Sequence, residues 1–475
     1  MATAFEKYTP NYVVLEEGER ELLVAVPPDY DPLALEELRF LSGKDLRLKL
    51  LGREEFNSLL EEKLSEETPQ GEEETSETET GVKYDLLLET DESPVVKLVN
   101  RILLKATRVG ASDIHFEPYE DETVVRLRMD GELHEYTRIP PARYSEVVAR
   151  IKVLANLNVA ERRVPQDGKF HVKVGQRDYD IRVSVVPTVF GERVVLRLLD
   201  KSGKLLTLQQ LGLSEEDLKK VEEIISKPYG MVLVTGPTGA GKSTTLYAVL
   251  QKLKNPRKNI ITIEDPVEYQ IKGISQIQVN PKVGLTFAAG LRSILRQDPD
   301  IVMVGEIRDR ETAQIAVQAA LTGHLVLSTL HTNDAPSAVT RLADMEIEPY
   351  LIASALEGVI AQRLVRKICP HCKVEYKPSK EEIEKLGLSP DGDYTFYRGK
   401  GCEHCMGSGY KGRIAIFEVL PFDEELKKLV TRTQDATEIR NFALQRGFKT
   451  MLQDGVEKIL KGITTPQEVL AAVSR

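Results

Sequence analysis

Residues 231–244 of this 475-residue chain read MVLVTGPTGAGKST. The run begins with apolar, β-branched residues that predict a buried strand, and the pattern G-x-x-x-x-G-K-[ST] follows from Gly236 to Ser243. An apolar helix is predicted from about Thr244. Glycines in such a loop let successive backbone N–H groups converge on phosphate oxygens, and the helix N-terminus adds positive potential. The sequence therefore predicts a P-loop that binds a nucleoside triphosphate, in preference to an ordinary glycine-rich turn.

The predicted ligands are ATP and Mg²⁺. Lys242 is expected to reach the β- and γ-phosphates, and the Ser243 hydroxyl is expected to ligate Mg²⁺. The predicted nucleotide-binding residues are Gly236, Pro237, Thr238, Gly239, Ala240, Gly241, Lys242, Ser243 and Thr244.

Continuous apolar runs recur in the same part of the chain, separated by helical stretches, at residues 232–234, 260–263, 301–304 and 325–327. Such runs are typical of parallel strands that helices cover on both faces. The sequence thus predicts an α/β fold with a parallel sheet.

Acidic residues stand at the ends of two of these runs. Glu264 follows the second run and Glu306 follows the third, beside the predicted triphosphate. Carboxylates at such strand ends can orient water or Mg²⁺ in P-loop enzymes. Asp is usual where Glu306 stands, so Glu306 could ligate the metal or act through water. Glu268 and Asp309 lie close by, and an ordinary solvated charge is the alternative interpretation for each.

Two histidines flank the fourth run, His324 before it and His331 after it. A core histidine bonded to backbone is the common fate of such residues. A histidine at the edge of the sheet that holds the phosphate loop could instead sense the phosphates. Both interpretations stay open, and His331 is included among the candidate catalytic residues.

All four cysteines fall in one segment. Cys369 and Cys372 form one C-x₂-C pair, and Cys402 and Cys405 form a second. Two such pairs can close a tetrahedral, structural Zn²⁺ site with no open position for chemistry. The gap between the pairs exceeds the common zinc-ribbon spacing, so a disulfide or thiol-redox role is the alternative. The second pair favours zinc.

The composition limits the function classes. The net charge is −10, yet residues 1–80 carry 8 Lys/Arg against 21 Asp/Glu, which leaves the rest of the chain near neutral. A near-neutral body without tryptophan lacks the basic surface and stacking platform typical of nucleic-acid binding. No apolar stretch approaches the roughly 18 residues of a membrane span, and the start lacks an export signal. We therefore expect a cytosolic protein with no nucleic-acid partner.

The chain divides into six predicted segments. Residues 66–80 contain seven Glu and no aliphatic or aromatic side chain, which predicts a flexible tether. The segments are a small N-terminal partner-docking module (1–65), an acidic flexible linker (66–84), an α/β domain (85–200), the P-loop domain (205–365), a tetracysteine zinc module (366–412) and a helical C-terminal region (413–475).

Taken together, these motifs resemble those of the secretion and type IV pilus assembly ATPases, the GspE/PilB traffic ATPases. The resemblance extends over nearly the whole chain past residue 83. Besides the P-loop and the histidine-flanked run, the matching motifs are ASDIHFEP (111–118), RLRMDG (126–131), RVPQDGK (163–169), FGERVVLRLL (190–199), TIEDPVE (262–268) and GEIRD (305–309). The fold that it implies is a RecA-like P-loop domain preceded by a smaller, PAS-like α/β domain, with a zinc-binding insertion and a helical C-terminus.

The resemblance also implies roles for individual residues. Glu264 would be the base that polarises the attacking water, and Glu306 would support Mg²⁺. The family arginines that surround the phosphates are matched by Arg182, Arg197, Arg292 and Arg296. Guanidinium groups suit this task because they offer paired planar donors to charge that spreads over the γ-phosphoryl oxygens, although a surface ion pair is the alternative for each. Arg182 and Arg197 precede the P-loop domain, so their contact with phosphate would require domain closure, within the chain or across a subunit boundary.

By the same resemblance, we expect the ATP-hydrolysing motor of a bacterial type II secretion system, in which inter-domain motion drives pseudopilus assembly and protein export. A homo-hexamer at the cytoplasmic face of the inner membrane is implied. Its implied partners are a membrane-anchored secretion protein that contacts the N-terminal module and an inner-membrane platform protein. The short N-terminal module favours secretion over the alternative, a type IV pilus extension ATPase. A nucleic-acid translocase, a zinc-stabilised scaffold with a degenerate nucleotide site and a pilus retraction motor are disfavoured.

Overall fold

The computed structural model describes residues 12–18, 21–42, 44–56, 58–59, 83–85, 93–175, 177–201 and 205–474. The chain divides into two compact units, Met1–Thr80 and Gly81–Arg475. Among the described residues, no helix combines the length and the apolar character that crossing a bilayer requires.

The first unit contains a small three-stranded sheet. Its elements are β1 (Val13–Glu17), β2 (Glu21–Val26), α1 (Pro32–Ser42) and β3 (Asp45–Leu50). The order is β1-β2-β3, with β1 antiparallel and β3 parallel to β2. Leu22 and Val24 of β2 pack with Leu35 and Leu38 of α1 in a thin apolar core. Most of the predicted acidic linker, residues 66–82, lies outside the described residues.

The second unit opens with a seven-stranded sheet and two helices. The elements are β4 (Lys83–Asp85), α2 (Pro94–Val109), β5 (Asp113–Pro118), β6 (Thr123–Met129), β7 (Glu132–Ile139), α3 (Pro141–Leu154), β8 (Gln166–Val174), β9 (Arg177–Thr188) and β10 (Gly191–Asp200). The order is β4-β8-β9-β10-β5-β6-β7, and all pairs are antiparallel except β4 with β8. Because β4 begins at Lys83, the last two residues of the predicted linker belong to this sheet.

The P-loop domain follows, with α4 to α9 between and around its strands. Its elements are α4 (Glu215–Ile225), β11 (Gly230–Thr235), α5 (Lys242–Leu253), β12 (Ile260–Glu264), β13 (Ser275–Gln278), α6 (Phe287–Ile294), β14 (Ile301–Val304), α7 (Arg310–Leu321), β15 (Leu325–Leu330), α8 (Ser337–Asp344), α9 (Pro349–Ala355) and β16 (Leu356–Ile368).

The remaining elements are β17 (Lys373–Tyr376), α10 (Lys380–Lys385), β18 (Phe396–Gly399), β19 (Tyr410–Pro421), α11 (Glu424–Val430), α12 (Ala436–Gln445), α13 (Met451–Leu460) and α14 (Pro466–Val473). Short 3-10 helices span Gln209–Leu211, Pro281–Val283 and Glu403–Cys405.

The central sheet has the order β13-β12-β14-β15-β11-β16-β19. Every neighbouring pair from β13 to β16 is parallel, and only β16 with β19 is antiparallel. Alternate residues of β11 enter two different apolar clusters, Met231 and Leu233 in one and Val232 and Val234 in the other. The sheet is therefore buried on both faces, and the predicted α/β class with a parallel sheet is confirmed.

The C-terminal region 413–475 is helical from Glu424 onward, where the Asp423 side chain accepts the N–H of Leu426 at 2.9 Å, in agreement with a helical tail from about Asp423. Its first nine residues belong instead to β19. A short apolar run fits a buried strand and a buried helix equally well by pattern alone. The cysteine segment is consequently an insertion between β16 and β19, two neighbouring strands of the central sheet.

Candidate nucleotide-binding site

The phosphate loop joins β11 to α5, as the sequence predicts. Gly239 and Gly241 have φ angles of 80° and 84°, in the left-handed region that favours glycine. Residues 238–243 line a cavity of about 410 Å³. Gly236 and Pro237 lie behind it, and their carbonyl oxygens accept hydrogen bonds from Lys242 Nζ at 2.8 and 2.9 Å. Thr244 is the one predicted loop residue that contributes neither to this lining nor to those contacts.

Three further candidates reach the same cavity from neighbouring strand ends. Glu264 is the last residue of β12, Glu306 comes two residues after β14, and His331 immediately follows β15. The carboxyl ends of β12, β14, β15 and β11 meet at one edge of the sheet because these strands are parallel neighbours. All three side chains line the cavity beside the phosphate loop.

Glu264 is the most constrained of these groups, and its residue is 4% exposed. The Tyr247 hydroxyl donates to Oε1, while Oε2 accepts from the Thr262 hydroxyl at 2.6 Å and from Gln276 Nε2 at 3.0 Å. Burial raises the pKa of Tyr247, and the Glu264 carboxylate reinforces the shift, so the hydroxyl stays protonated as a donor. None of these three partners was predicted: Tyr247 and Gln276 reach Glu264 only through the fold, and Thr262, although it begins the TIEDPVE motif, was not singled out.

Glu306, His331 and Lys242 form a polar row across the cavity. His331 Nε2 lies 3.4 Å from Glu306 Oε2, and His331 Nδ1 lies 3.4 Å from Lys242 Nζ. Arg308 pairs with the other oxygen of Glu306. Burial lowers the pKa of Lys242, and the nearby Glu306 carboxylate opposes that shift. His331 is therefore placed to contact the phosphate end of a bound nucleotide.

His324, in contrast, is bonded to the backbone, as expected of a core histidine. It precedes β15, and its Nδ1 lies 3.0 Å from the carbonyl oxygen of Ala319 in α7. It does not line the nucleotide cavity. The structure therefore favours the core interpretation for His324.

The oxygen donors in the cavity fit Mg²⁺. The Ser243 hydroxyl and the Glu306 carboxylate both line it, and hard oxygen ligands are what this ion prefers. These two side chains, together with phosphate oxygens and water, are the donors that would hold the ion.

Arg182 and Arg197 approach the site from the preceding domain. Arg182 Nη2 lies 3.5 Å from Oε2 of Glu268, which lines the cavity, whereas Arg197 Nε lies 3.0 Å from Asp113 Oδ1. The two arginines are cross-strand partners in β9 and β10, and Lys169 of β8 is opposite Arg182. Arg182 and Arg197 each have a carboxylate counter-ion here, so a bound phosphate would have to compete with Glu268 and Asp113 for their guanidinium groups. Lys169, part of the RVPQDGK motif, was not singled out from the sequence.

Arg292 and Arg296 lie elsewhere. Arg292 on α6 pairs with Glu311 at 2.5 Å, with both side chains about half exposed. Arg296 donates to the carbonyl oxygen of Arg292 at 3.1 Å and to the Ser293 hydroxyl at 3.2 Å. Neither arginine lines the nucleotide cavity, so their predicted contact with phosphates is not made within this subunit as described.

The four cysteines converge at the far end of β16 and β19. The distances between Sγ atoms are 3.8 Å for Cys369–Cys402, 3.9 Å for Cys372–Cys405 and 3.7 Å for Cys402–Cys405. A Zn–S bond of about 2.3 Å in a tetrahedron separates sulfurs by about 3.8 Å, whereas a disulfide needs about 2.05 Å. The donor set therefore fits a structural zinc ion.

The comparisons with known proteins cover nearly the whole chain. Residues 88–471 match the family described as Type II/IV secretion system protein. The Type II secretion system protein E of Pseudomonas aeruginosa is 47% identical over 468 residues, which are 95% of this chain and 92% of that protein. The Type IV pilus assembly ATPase PilB of Myxococcus xanthus is 45% identical over 465 residues, covering 94% and 82%. Among solved structures, the pilus retraction motor PilT with bound ADP aligns with a TM-score of 0.54 and 27% identity, over 78% of this chain and 96% of that one.

Proposed function

The chain belongs to the type II/IV secretion system protein family and is an ATPase, and from this premise we propose that it is the ATP-hydrolysing motor of a type II secretion system. The family resemblance predicted from the motifs is confirmed. The observation that carries the proposal is the cavity in which Glu264, Glu306 and His331 surround the phosphate loop. Such a constellation positions a triphosphate and a water for in-line attack.

Each group has a defined task in hydrolysis. The loop amides and Lys242 bind the β- and γ-phosphates, and Glu264 orients the attacking water and accepts its proton. Tyr247 and Thr262 hold the Glu264 carboxylate in one orientation, which keeps it aimed while water enters. His331 lies next to Lys242 and contacts the γ-phosphate end. Mg²⁺, held through Ser243 and by Glu306 directly or through water, neutralises charge on the phosphates when bound.

Force would come from closure of the preceding domain. Arg182 and Arg197 lie on that domain, so a contact between their guanidinium groups and the phosphates moves it against the P-loop domain. We propose that closure occurs in a homo-hexamer, in which Arg292 and Arg296 contribute at a neighbouring subunit. The zinc ion proposed for the four cysteines would hold the insertion together and take no part in chemistry.

The proposed setting is the cytoplasmic face of the inner membrane. Residues 1–65 would dock on a membrane-anchored secretion protein, the acidic linker would let the ring move beneath it, and a platform protein would receive the force. A type II secretion relative that aligns over 92% of its own length supports secretion as the first candidate. The PilB relative at 45% identity supports pilus extension as the second candidate.

Two experiments test the proposal. ATPase activity per subunit is measured against protein concentration, with and without the cytoplasmic domain of the candidate membrane anchor. A strong rise with either variable supports a ring that its partner activates, and a flat response contradicts it. Deletion of the gene separates the two systems: loss of exported proteins with intact pili supports secretion, whereas loss of pili with intact export would assign the chain to pilus extension.

A further inference from the structure

One buried side chain behind the phosphate loop is not used by the mechanism above. Gln362 lies on β16, which runs parallel to β11 with Ala361 opposite Thr235. Gln362 is therefore next to Gly236, where the loop begins. The residue is 1% exposed, and a buried carboxamide of this kind requires hydrogen-bond partners.

Its two partners lie in the phosphate loop and in the helix α5 that follows it. Gln362 Nε2 donates to the carbonyl oxygen of Ala240 at 2.7 Å, and Gln362 Oε1 accepts from the Thr245 hydroxyl at 2.6 Å. A carbonyl oxygen can only accept, so the amide nitrogen must face Ala240. The carboxamide thus spans from the loop to the first turn of α5.

The loop also packs directly against the backbone of β16. A Cβ atom at Gly236 would lie 2.6 Å from the Gln362 carbonyl oxygen, and one at Gly241 would lie 3.2 Å from Gln362 Nε2. The loop therefore has no room to slide past this strand, and Gln362 holds it in one place.

The peptide between Ala240 and Gly241 links this contact to phosphate binding. In a planar trans peptide the C=O and the N–H point in opposite directions. Holding the Ala240 carbonyl against Gln362 turns the Gly241 N–H away from β16. Gly241 lines the nucleotide cavity, whereas Gln362 does not.

We propose that Gln362 is a positioning residue for ATP binding, which acts by fixing the Ala240–Gly241 peptide of the phosphate loop. The inference rests on the use of this loop as the triphosphate site. Because Gln362 does not touch the γ-phosphate, its loss should weaken binding and leave the chemical step unchanged.

The decisive variant is Gln362→Met, which keeps the length of the side chain and removes both hydrogen bonds. In the full-length protein, we expect the Kd and KM for MgATP to rise about tenfold while kcat stays within about twofold. Binding is measured by calorimetry with MgATP and with a fluorescent ATP analogue. Should Gln362→Met be insoluble, Gln362→Asn, one methylene too short to make both contacts, carries the same expectations.

Thr464→Val is the matched control. The Thr464 hydroxyl, on a residue that is fully buried, donates to the Arg366 carbonyl oxygen at 2.7 Å, and it makes no contact with the loop. This variant loses a buried hydrogen bond of similar kind and should keep wild-type affinity for MgATP. Unchanged affinity in folded Gln362→Met, or an equal loss of affinity in Thr464→Val, overturns the inference. Wild-type protein that fails to bind MgATP would instead overturn the nucleotide site itself.

Discussion

Replacement of Glu264 by Gln tests the catalytic assignment most directly. The variant keeps the shape of the side chain but removes its charge and its capacity to accept a proton. Its carboxamide oxygen can still accept from Thr262 and Gln276, and its NH₂ group can donate to the Tyr247 hydroxyl oxygen. The local fold should therefore survive the change, because all three partners remain hydrogen-bonded.

The Glu264→Gln variant is expected to lose turnover and to keep its affinity for nucleotide. A positioned general base contributes about 100- to 10,000-fold, which corresponds to about 3 to 5 kcal/mol of transition-state stabilisation. Glu264 makes no contact with Lys242 or the phosphate loop, so the Kd for MgATP should change by less than about threefold. Phosphate release in single-turnover and steady-state assays gives kcat, and calorimetry gives the Kd.

The control is Glu268→Gln, a second carboxylate at the same cavity. Its side chain is 34% exposed and pairs with Arg182 at 3.5 Å, and an exposed pair of this kind contributes at most about 1 kcal/mol, so the loss should stay below about fivefold. A Glu264→Gln protein that binds MgATP and retains more than about a tenth of wild-type turnover would refute the assignment of the base.

Three further outcomes are expected. Arg182→Ala and Arg197→Ala should each slow turnover about 1,000-fold with nucleotide still bound. Arg177→Ala, a control on an arginine of β9 whose side chain is 65% exposed, should leave turnover unchanged. Unchanged turnover in both Arg182→Ala and Arg197→Ala would contradict domain closure. Protein purified without chelator should contain one zinc ion per chain, and its four thiols should react with a thiol reagent only after the zinc is chelated. A zinc-free protein with disulfides would contradict the zinc assignment. Arg440→Ala should lower the thermal stability more at pH 8 than at pH 5. Burial raises the pKa of Glu418 in the fold, and Arg440 opposes that shift, so without Arg440 the Glu418 carboxyl loses its proton at lower pH in the unfolded chain than in the fold, and the fold is destabilised as pH rises. Equal losses of stability at both pH values would contradict this prediction.

The parts of the site that lie in short, contiguous motifs were predictable from the sequence. The phosphate loop needs only glycines, a lysine and a strand before it, and those features are adjacent in the chain. Glu264 and Glu306 could be placed because an apolar run marks each strand and because parallel strands end at a common edge.

The supporting contacts were not predictable, because folding brings them together over long separations. Gln362 is 122 residues from Ala240 in sequence, and nothing in its neighbourhood distinguishes it from any polar residue at a strand position. The strand β19 was not predicted for a related reason. Its apolar run has no periodicity that distinguishes a strand from a helix, and only its pairing with β16 shows that it is a strand. Arg292 was predicted from the family resemblance alone, which gave no indication of which side of α6 faces the cavity.

The contacts between the two domains of the second unit indicate how nucleotide and motion are coupled. Each domain has its own apolar core, and named contacts between the domains include the ion pairs of Arg182 with Glu268 and of Arg366 with Glu132. Polar interfaces of this kind permit relative domain motion. An exposed ion pair such as that of Arg182 is worth at most about 1 kcal/mol, whereas an arginine aimed at a γ-phosphoryl group contributes about 4 kcal/mol or more in the transition state. In the transition state the phosphates can therefore outcompete Glu268 for the Arg182 guanidinium, and we predict that closure accompanies hydrolysis and relaxes once the γ-phosphate leaves.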